Sequence, residues 1–355
     1  MMNYDEFKDT VLNEIKSVLP AEYKDCTVKV EKVVKNNGTT YDALIIDTYQ
    51  DSPEIKKVVP NIYLNKFYED YTNGIHTLDQ TLKDIAAARV HCEVPLADRA
   101  SILSDIEDFN KIKDQIQVRL VNYDKNVDYL KDKPHTKFLD MAEVYYLEVG
   151  SFGDGKGSVV ITDKMLGYWS KDNTVDAEVL HKQAMDNIAA QQYYQIESME
   201  DVIRAMMGGE IPDDMAGITN PDVPSTYVVS TKDKMWGASA MLDTNLMEKV
   251  AEKCQGDFFI IPSSVHELLA VPQTGQTYEE MEYMIRDVNR SVVDNAEILS
   301  DRCYMFDAKL SRVVFADEKL NQEQEVTNDK VQQFPLSEEL PFDQSANMRQ
   351  HRGGR

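Results

Sequence analysis

Residues 257–272 read DFFIIPSSVHELLAVP. Two apolar runs flank a break at Pro262, Ser263 and Ser264, and His266 and Glu267 follow directly. Short apolar runs bounded by turn residues predict two buried strands, over 257–261 and 265–271, joined through Pro-Ser-Ser. A turn this short joins antiparallel strands, because a parallel pair needs a crossover of about a dozen residues or more. The stretch therefore points to an α+β fold and away from a doubly wound parallel sheet.

The same pattern extends on both sides. Downstream, Met281, Met284, Ile285 and Val288 predict a helix over 278–289, and 302–307 with 312–315 reads as a hairpin. Upstream, 226–230 and 236–242 read as strands around Lys232, Asp233 and Lys234, and 245–254 reads as a helix with Leu246 and Val250 inward. The expected order is β-β-α-β-β-α-β-β, in antiparallel or mixed sheets with helices packed on one side.

Before this unit, Phe7, Val11, Ile15 and Val18 mark an amphipathic helix over 4–19 that Pro20 ends. Strands over 27–34 and 40–47 flank Asn36, Asn37 and Gly38, a hairpin signal because Asn and Gly tolerate positive φ. Aromatic residues at helical spacing predict a helix over 60–71, and Thr77 or Asp79 caps the next, through Ala88. Further helices are expected over 100–113, 163–169, 175–191 and 199–207. Strands are expected over 117–122, 142–149 and 158–162, with a loop over 130–135. The glycine run at 153–157 contains GxGxG, but it links two strands and lacks the Lys-Ser/Thr ending of a phosphate loop, so it reads as a hairpin loop. The proline-containing stretch 210–225 reads as a loop. The expected division is an N-terminal region over 1–209, a C-terminal unit over 226–316 and a polar tail over 317–355. We expect the tail to be disordered, with FPLSEELPF at 334–342 as its candidate docking motif.

The formal net charge of −24 repels phosphate backbones, which argues against nucleic acid as a partner. The N-terminus lacks an apolar signal core, and no apolar run approaches the roughly 18–20 residues of a membrane span, so a cytoplasmic protein without a membrane partner is expected. Cys26, Cys92, Cys254 and Cys303 are far apart in sequence and read as reduced thiols. No two histidines share metal-ligand spacing, and neither a metal nor a cofactor is expected. His91 and His181 read as surface or satisfied residues, and Tyr193 and Tyr194 as core.

Ser263, Ser264, His266 and Glu267 are the candidate catalytic set, since they offer hydroxyl, imidazole and carboxylate groups within five residues. On a strand, His266 and Glu267 would face opposite sides, which works against a local triad. HELLA also lacks the second histidine of a zinc helix. Two readings follow. The favoured one is a noncatalytic binding or regulatory protein, its partner a protein or small molecule, displaying an apolar or aromatic surface patch. The other is a hydrolase using His266 with Ser263 or Ser264 and a carboxylate such as Asp287 or Asp301.

The segments TYVVSTKDKMWGASAMLD, GDFFIIPSSVHELLAVP and MIRDVNRSVVDNAEILSDRCYMFD, in that order, resemble an uncharacterised bacterial domain-of-unknown-function family. Its members carry TNK…GA, LPSSIHE and VN…LSD…Y. VVPNIYLNKFYEDYTNG, VRLVNYDKN and FLDMAEVYYLEV extend the likeness over roughly residues 1–316. Asp42 departs from the family pattern, which more often has a small or aliphatic residue followed by His and Gly. A more distant likeness to another uncharacterised bacterial family, with a comparable strand–His–strand segment, implies an α+β fold. Neither resemblance implies an activity.

Overall fold

The computed structural model describes residues 1–48, 59–93, 96–152, 155–169, 175–209 and 224–321. Helices pack on three sheets, and every strand pair is antiparallel.

The first sheet runs β1-β2-β3, from β1 (Thr27–Val34), β2 (Thr40–Asp47) and β3 (Asn61–Tyr63). The β1–β2 turn is the expected Asn-Gly turn, with Asn37 at φ 56° and Gly38 at φ 69°. Helix Tyr4–Val18 buries Phe7, Val11 and Ile15 against this sheet together with helices Leu64–Thr72 and Leu78–His91. Thr77 caps the last of these, its hydroxyl accepting from the Gln80 amide. The helix expected over 60–71 begins at Leu64. Ile62 pairs opposite Leu44 and is buried in the same core, so the open edge of β2 holds these residues extended.

The second sheet is built on β6 (Met141–Phe152), with β4 (Ile116–Asn122) along one edge and β5 (His135–Phe138) and β7 (Gly155–Val160) along the other. Helix Ala177–Gln191 covers one face, packing Leu180, Ala184 and Ile188 with Val118, Tyr145 and Leu147. Phe152 pairs with Gly155, as a hairpin at the glycine run requires; residues 153–154 lie outside the described residues.

The third sheet has the order β13-β12-β10-β11-β9-β8. Its strands are β8 (Tyr194–Ser198), β9 (Tyr227–Thr231), β10 (Phe258–Ile261), β11 (Glu267–Pro272), β12 (Tyr304–Asp307) and β13 (Arg312–Phe315). All four β10 residues are buried because both faces are covered. Phe258 and Ile260 pack with Met247 and Val250 of helix Thr244–Cys254, whereas Phe259 and Ile261 pack with Ile285 of helix Tyr278–Ser291. This corrects the expectation of helices on one side: an apolar run with no polar alternation needs cover on both faces.

Two further corrections concern this half. Residues 236–242 form no strand; Gly237–Leu242 is a 3₁₀ helix. A Cβ on Gly237 would lie 2.5 Å from the His266 carbonyl oxygen and 2.6 Å from Ser230 Cα, so the glycine lets this small-residue run press onto the sheet. The outer strand place goes to β8, which helix Met199–Met206 follows, and the order from β9 on, the 3₁₀ helix aside, is β-α-β-β-α-β-β. On helix Tyr278–Ser291, Met284 and Val288 are exposed, because Ile285 and Asn289 set the helix phase. The Asn289 amide donates to Ser300 O and Asp301 Oδ1.

The expected tail also starts too early. Residues 316–321 are helical, and Lys319 is buried between Asp257 (2.6 Å) and Asp307 (2.9 Å). The sequence looks polar there because its one buried cation is matched by two distant carboxylates. The loop reading at 210–223 and the rest of the tail, 322–355, fall outside the described residues. The first hairpin joins the C-terminal half through asparagines: Asn36 Nδ2 donates to Ala296 O at 2.8 Å and Asn37 Nδ2 to Ile298 O at 2.7 Å. All four cysteines are free, and burial pushes the Cys254 and Cys303 thiols up to about 12.

A candidate binding cleft between two sheets

The Pro-Ser-Ser break is a turn tied to its surroundings by backbone. Val265 N donates to Glu297 O at 2.8 Å, and the His266 amide donates to Ser264 Oγ at 3.0 Å. Ser263 Oγ donates to Glu267 Oε1 at 3.2 Å. Neither serine hydroxyl is bonded to the His266 ring. That ring is partly covered, its side chain 21% exposed. Its Nδ1 accepts the Trp236 amide at 3.1 Å, which leaves the proton of the neutral ring on Nε2, 3.6 Å from Glu297 Oε1. Asp287 instead pairs with Arg290, and Asp301 accepts from Asn289. The four candidates are thus brought together, but as a turn: the imidazole orients the Trp236 backbone, which sits in the left-handed region at φ 61°.

Trp236 carries this turn toward the second sheet. The Arg119 guanidinium of β4 lies 4.2 Å from the Trp236 ring centre and 3.7 Å from that of Tyr146 on β6. Arg119 Nη2 donates to Ser158 Oγ at 3.1 Å, and the Tyr146 and Tyr129 hydroxyls are 3.0 Å apart. Withdrawal from water pulls the Arg119 pKa down, and the aromatic faces supply the compensating attraction.

Beside this cluster opens a cleft of about 660 Å³. Asp114 from the 3₁₀ turn before β4, Gln117 from β4, Glu148 from β6, Tyr193 before β8, Thr231 at the end of β9 and Lys232 and Asp233 after it line it. Thr231 Oγ1 donates to Asp233 Oδ1 at 2.7 Å and accepts the Met235 amide at 2.9 Å, so the β9 turn is rigid where it meets the cleft. Gln117 is 7% exposed. Its Nε2 donates to Gln191 Oε1 at 3.3 Å, but its buried Oε1 has no hydrogen-bond partner among the described residues. Orphaned buried acceptors are rare and ask for an explanation.

A second polar cluster lies under helix Ala177–Gln191. His181 Nδ1 lies 2.6 Å from Glu143 Oε2, which also accepts the Tyr145 hydroxyl at 3.1 Å, and Thr136 Oγ1 lies 2.9 Å from that hydroxyl. Glu143 is buried and half-exposed His181 is held by it. The sequence reading of His181 as a surface or satisfied residue leaves its partner unnamed. The available signal is Glu143 itself, a carboxylate in phase with Tyr145 and Leu147 in an otherwise apolar strand. Among the described residues, no three His, Cys, Asp or Glu side chains form a group able to hold a metal ion, and no helix is long and apolar enough to cross a membrane.

A family profile described as "Family of unknown function (DUF5688)" matches residues 4–308, which agrees with the resemblance read from the sequence segments. No curated protein and no solved structure matches the chain.

Proposed function

The chain belongs to this family of unknown function, and from that premise we propose that it is a noncatalytic cytoplasmic binding protein whose 660 Å³ cleft takes a small cationic amine. The observation that carries the reading is Gln117 Oε1, a buried acceptor without a partner in the wall of an open polar cleft. A ligand N–H that reaches it supplies the missing bond, and the unfilled acceptor costs the ligand-free protein about 1–3 kcal/mol. The net charge of −24 draws cations toward the surface and raises their local concentration. Asp114, Glu148 and Asp233 outnumber Lys232 along the cleft, so its lining carries a net negative charge. The hydrolytic reading has no serine hydroxyl on the His266 ring behind it, and we do not carry it forward.

The test is calorimetric titration of the full chain with 1,4-diaminobutane, glycerol and succinate, repeated on Gln117→Leu. Binding of the diamine alone, weakened about tenfold in the variant, supports the reading; tenfold corresponds to about 1.4 kcal/mol, one net hydrogen bond. A diamine that does not bind, or binds both proteins equally, contradicts it.

A further inference from the structure

Helix Tyr278–Ser291 is apolar on two flanks. Its inner flank meets the third sheet through Tyr278, Met281 and Ile285. Next to that flank, Met284, Val288 and Val292 follow one another at intervals of four and are 42%, 40% and 78% exposed. Such spacing places them in one stripe along the helix. It runs beside the buried edge and has no core partner among the described residues.

The chain itself leads to this stripe. After β13, residues 316–321 return over the same face of the sheet, and Ala316 and Leu320 pack in the cluster that holds Ile285. Arg302 ties the return to the helix, bonding Glu282 with one arm and Asp317 with the other. The described residues stop at 321, beside this helix. Twelve residues separate 321 from Phe334, a reach of roughly 40 Å, about twice the ~21 Å length of the helix. At that point the sequence turns apolar again as FPLSEELPF, with Phe334, Leu336, Leu340 and Phe342. Pro335 and Pro341 restrict their own and the preceding backbones, which lowers the entropy lost on docking.

We propose that residues 334–342 dock in cis on the Met284–Val288–Val292 stripe. The tether makes docking intramolecular, so an interaction too weak to hold a free peptide suffices. This surface is separate from the Gln117 cleft, and the proposal stands or falls independently of the amine-binding reading.

The test uses the full chain labelled with ¹³C at the methionine methyls. The Met284 methyl reports on the stripe, and the fully buried Met305 methyl is the control for folding. Leu336→Asp with Leu340→Asp is expected to move the Met284 resonance to that of a solvent-exposed methionine and leave Met305 in place. A synthetic peptide of residues 330–346, added to this variant, is expected to return it. Val288→Asp in the helix is expected to abolish that return. A Met284 resonance indifferent to the tail substitutions overturns the proposal. So does a shift that vanishes on dilution, because a second copy would then be the occupant.

Discussion

Glu143 gains its weight from where β6 puts it. It faces the helix-covered side of the second sheet, where the His181 ring and the Tyr145 hydroxyl both reach one carboxylate oxygen. The hydrogen bond that the His181 ring donates to Glu143 raises the His181 pKa from its ordinary value, against the pull of burial. A group with a raised folded pKa contributes stability that is full below its unfolded value and is lost as pH rises through the folded one. The His181–Glu143 pair therefore supports helix Ala177–Gln191 on the acid side of that window and fades toward neutral and alkaline pH. Glu143→Gln is predicted to bring the His181 titration, followed by NMR, down to the ordinary range or below it. An unchanged titration would mean that the pair is not the cause. The sequence shows a carboxylate inside an apolar strand but not its partner, since positions 143 and 181 meet only after helix and sheet have packed. For the same reason the clustering of Ser263, Ser264, His266 and Glu267 along the chain does not place a serine hydroxyl on the imidazole. Proximity along the chain is not proximity of reactive atoms, and here each hydroxyl is turned to its own neighbour.

Elements were legible where pattern and turn chemistry agreed. The Asn-Gly hairpin and the β10–β11 pair follow directly from local residues, and the structure chooses Thr77 over Asp79 as the cap. The 3₁₀ helix over Gly237–Leu242 does not, because its conformation is decided by the His266 carbonyl and Ser230, which close over Gly237 from other strands. Gly237→Ala is predicted to destabilise the protein by roughly 1–3 kcal/mol in chemical denaturation, as overpacking against backbone does. A variant as stable as the parent would show that the contact has room to relax. The short helix over 316–321 rests on Lys319. Burial is the largest single influence on Asp307 and tends to raise its pKa, but the hydrogen bond and charge of Lys319 together with the Leu310 and Lys309 amides outweigh it, and the net shift is downward. A depressed carboxylate contributes stability above its unfolded pKa that disappears as pH falls through the folded one. Lys319→Ala leaves Asp257 and Asp307 facing each other and is predicted to cost about 3–5 kcal/mol. A cost below about 1 kcal/mol, the range of an exposed pair, would contradict the buried triad.

At the scale of the molecule, three antiparallel sheets make one α+β chain in which the second and third meet over Arg119, Tyr146 and Trp236. The class was readable because apolar runs were short and their connections shorter. The cleft was not readable: its lining comes from β4, β6, β9 and the approach to β8, and none of those stretches carries a motif. Gln117 reads as one polar place in an alternating strand, and only the packed structure shows its carbonyl buried at the cleft wall without a donor. A protein that keeps such an acceptor gives up stability, and function is a sufficient reason to keep it. The account therefore turns on Gln117→Leu, an apolar replacement of similar size, assayed for thermal stability and diamine binding together. We predict a higher melting temperature and a loss of about tenfold in affinity, since the substitution removes an unsatisfied acceptor and the ligand's bond at once. A melting temperature that falls while diamine affinity stays the same would show that Gln117 belongs to the core alone and that the cleft is not built for such a ligand.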